Sequence, residues 1–283
     1  MTLEFVKAVT LDAAVGALSE PGAVALCGGT DLMVKLRSGA LTCKTLVDIS
    51  EVADLREIRM TSDRLVLGAA VAESEILASE EICARLPLLA LALKSLGSSQ
   101  IRNRGTLGGN LANASPAADG VLALLAYDAS VRTVSAHGDR SLPVERLLEG
   151  PGRTVLEQGE VIRSIEIDLT RIPETSRAFF HKVGRRKAMT IAVASLGGWA
   201  VVEGMTLRGI ALAVGSVAPT PLRLRSVEDR LIGRSVGKAT ADAARAMVCE
   251  QVSPIDDVRG TGEYRRRVVG ELAAQFIMEF EDA

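Results

Sequence analysis

A short apolar run that ends on two glycines sets the first constraint on this fold. AVALC at 23–27 runs into Gly28-Gly29, and a helical pattern opens at Asp31 and continues to Arg37. Paired glycines end a strand because they lack a Cβ and admit positive φ, so the chain can turn there at little steric cost. Thr30 or Asp31 is the expected cap of the helix. A second apolar run, TLVDI at 45–49, follows, and a helical pattern at 11–19 precedes the Pro21-Gly22 turn. Helix, strand, glycine turn, helix, strand is the order of a small α/β unit.

The next stretch changes character. RLVLGA at 64–69 reads as a strand, and residues 73–97 hold helical segments interrupted at Pro87. Residues 97–116 are rich in Gly, Asn and Ser and are expected to form a long loop, of the kind compact domains keep for function. VLALLAYD at 121–128 reads as buried, and 130–135 and 160–169 as strands. The last of these alternates apolar and polar, as a half-exposed antiparallel strand does. A polar stretch around Pro173 marks a boundary, followed by strands near 177–183, 192–203 and 206–217 and helices near 226–233, 239–251 and 263–281. Two domains are expected, 1–172 (subdomains about 1–55 and 56–172) and 173–283.

Composition removes several function classes. A net charge of −2 without a long run of one sign offers no footprint for nucleic acid, and one Trp, two Tyr and five Phe supply no base-stacking surface. No window approaches the roughly 18 apolar residues that cross a bilayer. The N-terminus lacks the cationic-then-apolar pattern of a leader, so the expected compartment is the cytoplasm. Cys27, Cys43, Cys83 and Cys249 are scattered, which supports neither a metal site nor a disulfide framework. With only His137 and His181, a Ser-His-acid triad or a histidine metal site has few sources. No catalytic side chain is assigned, and the hard chemistry is expected from a bound cofactor.

Two segments carry that expectation, Cys27-Gly28-Gly29-Thr30-Asp31-Leu32 and Gly105-Thr106-Leu107-Gly108-Gly109-Asn110. Each sets paired glycines beside a hydroxyl residue, so backbone N–H groups can turn towards a ligand and Thr30 and Thr106 can add donors. The first also leads into a helix, whose free N–H groups favour an anion. Either alone is more often an ordinary turn; both together, with the polar run to Asp119, say more. Asp119 is an acceptor-only side chain suited to a ribose hydroxyl pair, or else the N-cap of the buried segment after it. Neither G-x-G-x-x-G nor G-x-x-x-x-G-K-[ST] occurs, so a phosphate site is built another way.

CGGTDLMVKLRSG (27–39), QIRNRGTLGGNLANASPAAD (100–119) and FFHKVGRRKAMTIAVAS (179–195) resemble, in order and spacing, the signature stretches of the flavin subunit of molybdenum hydroxylases. That is the family of xanthine dehydrogenase and the carbon monoxide dehydrogenase medium subunit, and the likeness covers nearly the whole chain. It implies an α+β architecture: the p-cresol-methylhydroxylase-type (PCMH-type) FAD-binding fold, with a small parallel α/β subdomain and an antiparallel α+β subdomain. A C-terminal domain of antiparallel strands and a helix bundle follows. The resemblance assigns non-covalent FAD to Ala25, Leu26, Cys27, Gly28, Gly29, Thr30, Asp31 and Leu32, and to Ile101, Thr106, Leu107, Gly108, Gly109 and Asn110. Of these, the backbone at 25–32 and 106–110 is expected at the pyrophosphate. It puts Ser115 and Asp119 at the adenosine ribose or nearby phosphate, and Ile162 and Lys182 by the isoalloxazine ring. It implies partners: a large molybdopterin subunit and a small subunit with [2Fe–2S] clusters, in a hetero-oligomer that passes electrons to NAD, quinone or oxygen.

A lysine near the ring also has a physical rationale, since reduced flavin carries negative charge around N1. Read without the family, Lys182, Arg185, Arg186 and Lys187 are equally a solvated cluster at a strand end. Arg102 and Arg104 can balance phosphate or meet a partner. Cys27 stands where relatives have Ala, and Met189-Thr190 where xanthine dehydrogenases tend to carry acidic residues. Two competing readings remain open at this level: a self-sufficient flavin oxidase or reductase, and an interaction subunit without cofactor.

Overall fold

The computed structural model describes residues 3–186 and 189–281. In chain order the elements are β1 (Glu4–Lys7), α1 (Leu11–Leu18), β2 (Ala23–Leu26), α2 (Leu32–Arg37), β3 (Thr45–Asp48), β4 (Ile58–Met60) and β5 (Arg64–Gly68). Next come α3 (Glu73–Ala78), α4 (Glu80–Arg85), α5 (Pro87–Ser95), α6 (Ser99–Arg102), α7 (Leu107–Ala112) and α8 (Asp119–Ala126). Then follow β6 (Ser130–Ser135), β7 (Gly138–Pro143), α9 (Val144–Leu147), β8 (Leu148–Gly150), β9 (Arg153–Thr154) and β10 (Val161–Asp168). The chain ends with β11 (Arg177–Gly184), β12 (Ala192–Glu203), β13 (Thr206–Gly215), β14 (Leu222–Arg223), α10 (Arg225–Leu231), α11 (Lys238–Gln251) and α12 (Gly262–Met278). They form two compact units. One holds the residues up to Ser79, Ser98–Asn113 and Asp128–Thr170; the other holds Glu80–Gly97, Ala114–Tyr127 and the chain from Arg171 onward.

In the first unit, β1, β3 and β2 form a parallel sheet in that order, as strands joined by helices must. Thr10 caps α1 by accepting from the amide of Ala13 (3.2 Å), and α1 buries Ala14, Val15 and Leu18 in a core with Val47, Val52 and Leu55. The other main sheet is antiparallel, in the order β4-β5-β10-β6-β7. β10 was expected to be half exposed. As the central strand it buries Ile162, Ser164, Ile165 and Ile167, and a bulge between Ile162 and Ser164 breaks the simple alternation.

Residues 97–116 are not a plain loop. Ser98 accepts from the amide of Ile101 (3.3 Å) and Thr106 from that of Gly109 (3.0 Å), so the polar residues cap two short helices, α6 and α7. The apolar run after Asp119 is the helix α8, a case in which a continuous hydrophobic stretch has no period that separates strand from buried helix.

The second unit is a three-layer stack around β11-β12-β13-β14. Successive residues of a strand face opposite ways: Gly198 of β12 lies against Phe276 of α12, and its neighbour Gly197 against Leu88 of α5 and Leu122 of α8. One face packs Phe179, Phe276 and Phe280 edge to face, with ring centroids 5.7 and 5.0 Å apart. A buried ion pair braces this unit. Arg223 donates to both carboxylate oxygens of Glu228 and to the carbonyl of Leu125, while Glu228 accepts from the amide of Leu212. Glu228→Gln removes the carboxylate charge that two guanidinium nitrogens and the Leu212 amide share. The expected cost is about 3 kcal/mol, read as a lower urea midpoint with an unchanged slope.

Candidate functional site

Both glycine turns lie in the first unit, and packing explains two of their four glycines. A Cβ on Gly28 would sit 2.0 Å from the carbonyl oxygen of Arg104, so the strand end after β2 touches the backbone that leads into α7. A Cβ on Gly108 would lie 2.5 Å from both Cβ and carbonyl oxygen of Ala69, so α7 rests on the end of β5. These glycines admit another stretch of chain, where the sequence alone suggested a ligand. Gly29 takes the turn itself, with φ +71°. Gly109 is exposed, and a Cβ there would meet only the Thr106 hydroxyl (3.0 Å). The amide of Glu73 donates to the carbonyl of Gly105 (2.9 Å), which anchors the second turn.

Beside this junction lies a cavity of about 300 Å³, lined by Cys27, Gly28, Thr106 and Arg104 on one side and Ser50, Arg56 and Glu75 on another. Arg56 is held by both oxygens of Glu75 (2.9 and 3.0 Å). Burial pushes the Cys27 thiol up, against a hydrogen bond with Thr106. A neutral thiol is a poor nucleophile, so a covalent flavin link gains no support. Asn110 is different: its Oδ1 is buried and has no protein partner among the described residues. The expected side-chain cap of α2 is absent. Asp31 occupies the cap position with helical φ and ψ (−100°, −43°) and makes no capping hydrogen bond, since capping requires an extended residue. Leu107 and Ile162 are buried at 1% and 5% exposure, which leaves only their backbones for a ligand, whereas Ile101 is exposed on α6.

In the second unit Asp119 opens α8, whose cap position is Ala118, so Asp119 is not the N-cap. Lys182 Nζ donates to Asp119 Oδ2 (2.5 Å) and to the carbonyl of Ser95 (2.7 Å). Lys182 is thus no solvated charge; its side chain is 11% exposed. Arg185 and Arg186 are exposed, and Lys187 lies outside the described residues. Burial holds the Asp119 carboxyl above the usual carboxylate range, against the pull of Lys182. Its second oxygen, Oδ1, is buried and has no partner among the described residues. The resemblance placed Asp119 at a ribose and Lys182 at the ring. The ion pair brings the two side chains to one locus. Ser115 accepts from the amide of Ala117 (3.2 Å) and turns the chain ahead of α8.

Sequence reasoning passed over Lys35, Asn113 and Ser95. Lys35 Nζ donates to Asn113 Oδ1 (2.5 Å) across 78 residues of sequence, and only the position of both inside the glycine-bearing stretches pointed to them. Among the described residues no group of three His, Cys, Asp or Glu is arranged to hold a metal, and no helix is long and apolar enough to cross a membrane.

Residues 1–169 match the family of FAD-binding domains in molybdopterin dehydrogenases. The chain belongs to this family. Residues 178–280 match the carbon monoxide dehydrogenase flavoprotein C-terminal domain. The chain is 34% identical over 268 residues to the carbon monoxide dehydrogenase medium chain of Hydrogenophaga pseudoflava, covering 92% of this chain and 90% of that one. It is 29% identical to the xanthine dehydrogenase FAD-binding subunit of Escherichia coli O157:H7, over 96% and 94% of the two chains. A solved carbon monoxide dehydrogenase from H. pseudoflava, which lacks the Mo-pyranopterin moiety of its cofactor, superposes with a TM-score of 0.92 at 28% identity, over 97% and 96% of the chains. Quinoline 2-oxidoreductase from Pseudomonas putida 86 gives 0.90 at 26% identity, over 98% and 99%. The chain is therefore an FAD subunit of the molybdenum hydroxylase type, with the fold that the resemblance implied.

The ion pair makes a pH-dependent prediction. A raised carboxyl pKa means that the folded chain holds this proton more tightly than the unfolded one. The site's contribution to stability therefore falls as pH rises through the carboxyl range and then levels off. Lys182→Met removes the cation and raises the carboxyl further. The variant is expected to trail the parent chain by about 3 kcal/mol at pH 8 and to recover most of that by pH 5, as urea midpoints at the two values will show.

Proposed function

We propose that this chain binds FAD non-covalently and relays electrons as one subunit of a molybdenum-containing hydroxylase or dehydrogenase. The observation that carries the reading is the junction of the two glycine turns, where Gly28 abuts Arg104 and Asn110 keeps a buried acceptor open. The residues fit the cofactor. Backbone at Gly29, Thr30 and Asp31 and at Thr106, Gly108 and Gly109 would hold the diphosphate without a P-loop or a G-x-G-x-x-G turn. Asn110 Oδ1 is a buried acceptor with no protein donor among the described residues, and the hydroxyls of a ribose or ribityl chain are donors. In the second unit, Asp119 Oδ1 is likewise a buried acceptor without a protein donor among the described residues, beside the Lys182 ammonium.

Bound FAD supplies the redox chemistry, taking up and giving out electrons singly or in pairs. The protein's task is to bind, orient and shield it, and no acid or base needs to be added. That division agrees with a site that offers backbone, amide and one neutralised ion pair. By kinship with subunits called medium chains, the partners are a large subunit with molybdopterin and a small one with [2Fe–2S] clusters. Electrons would enter from those clusters and leave to an external acceptor.

The purified chain, alone or with its partners, is expected to show flavin absorption and to release intact FAD on denaturation. Gly109→Leu, which adds bulk on the open face of the second turn, is expected to weaken FAD binding at least about tenfold, some 1.4 kcal/mol, with the circular dichroism spectrum unchanged. An assembled complex that never takes up FAD would overturn the reading.

A further inference from the structure

We propose that Lys35 is a positioning residue of the diphosphate subsite, clasping the helix behind the first glycine turn to the helix behind the second. The inference rests on the flavin reading above and goes beyond it in naming what sets the spacing of the turns.

A chain of three hydrogen bonds joins the two turns. The amide of Lys35 donates to the carbonyl of Asp31 in the first turn (3.0 Å). Its ammonium donates to Asn113 Oδ1 (2.5 Å). The amide of Asn113 donates in turn to the carbonyl of Gly109 in the second turn (2.9 Å), while the amide of Gly109 is taken by Thr106. Gly109 is therefore held at its amide by Thr106 and at its carbonyl by Asn113, the residue whose side chain Lys35 grips. Gly28 against Arg104 sets the closest approach of the two stretches; the Lys35 clasp keeps them from hinging about that contact.

The charge points the same way. Asp31 stands four residues before Lys35, the spacing at which a helical lysine pairs with an acid. Yet the half-buried ammonium reaches to a neutral amide, and no ion pair to it forms among the described residues. A half-buried cation with no carboxylate is poorly compensated in the free chain. A diphosphate between the turns supplies the missing negative charge, so Lys35 adds to affinity through its field as well as through its grip.

The test is an FAD titration of the full chain by flavin fluorescence at several salt concentrations. Lys35→Met is expected to weaken binding about tenfold, the worth of one hydrogen bond to a charged group, and to flatten the salt dependence. Lys35→Arg, which keeps charge and reach, stays within about threefold. Asn113→Ala weakens binding while leaving the charge, and adds little on top of Lys35→Met, because the two act through one bond. Melting temperatures of the FAD-free variants should match the parent chain. Parent-like FAD affinity in Lys35→Met, no rescue by Arg, or additive losses with Asn113→Ala would each overturn the proposal. Failure of the parent chain to bind FAD, alone or assembled, would instead remove the flavin reading before any variant is compared.

Discussion

The contact on which the first unit depends is backbone against backbone: the α-carbon of Gly28 beside the carbonyl of Arg104. A methyl group there would lie 2.0 Å from oxygen, inside any tolerable van der Waals distance, and backbone on both sides cannot yield as a flexible side chain can. The contact couples the turn that follows β2 of the parallel sheet to the α6–α7 segment, which is itself bridged to the start of α3 at Ala72 and Thr106. Gly108 on Ala69 makes the second such contact a few residues on. Two glycines thus bring segments from two sheets of different topology into contact, while Gly29 makes the first turn and Gly109 stays exposed on the second.

The second unit answers a different problem, how to keep a carboxylate in a buried place. Asp119 is 5% exposed, and desolvation outweighs the pull of Lys182 on its proton. Buried ion pairs of this kind contribute little net stability, because removing both charges from water costs about what their attraction returns. The pair also leaves Oδ1 without a donor among the described residues, an omission worth roughly 1–3 kcal/mol against folding. The Arg223–Glu228 pair in the same unit shows the contrast: both carboxylate oxygens accept hydrogen bonds, as structural pairs require. The two pairs thus differ in how completely the protein satisfies the buried carboxylate.

Much of this was legible in the chain's own pattern. The strands at 23–26, 45–48, 64–68 and 161–168 and the three C-terminal helices follow from apolar period and Gly or Pro punctuation. The glycine turns were visible as motifs, but the reason for Gly28 and Gly108 was not, because it lies in chain that arrives some 76 residues later in one case and 39 earlier in the other. Short helices such as α6 and α7 carry too few turns for periodicity, and their caps, Ser98 and Thr106, look like loop residues until a partner amide is seen. The 2.5 Å bonds of Lys35 to Asn113 and of Lys182 to Asp119 join residues 78 and 63 positions apart. No local rule predicts such pairs.

The backbone contacts at these turns depend little on side-chain identity, and the fold persists at low identity. At 25–28% identity the solved relatives still superpose with TM-scores of 0.90 to 0.92. Side-chain recognition would demand the same residues at each contact, whereas backbone recognition demands only that the turns keep their φ, ψ and spacing. Cys27 illustrates the freedom. The Cys27 thiol lines a small cavity and, kept neutral by burial, contributes bulk, not chemistry. Gly28, one residue on, has no such freedom. The contrast between the neighbouring positions is steric: a Cβ on Gly28 would meet backbone, whereas the side chain of Cys27 lines a cavity, so close approach constrains the one and not the other.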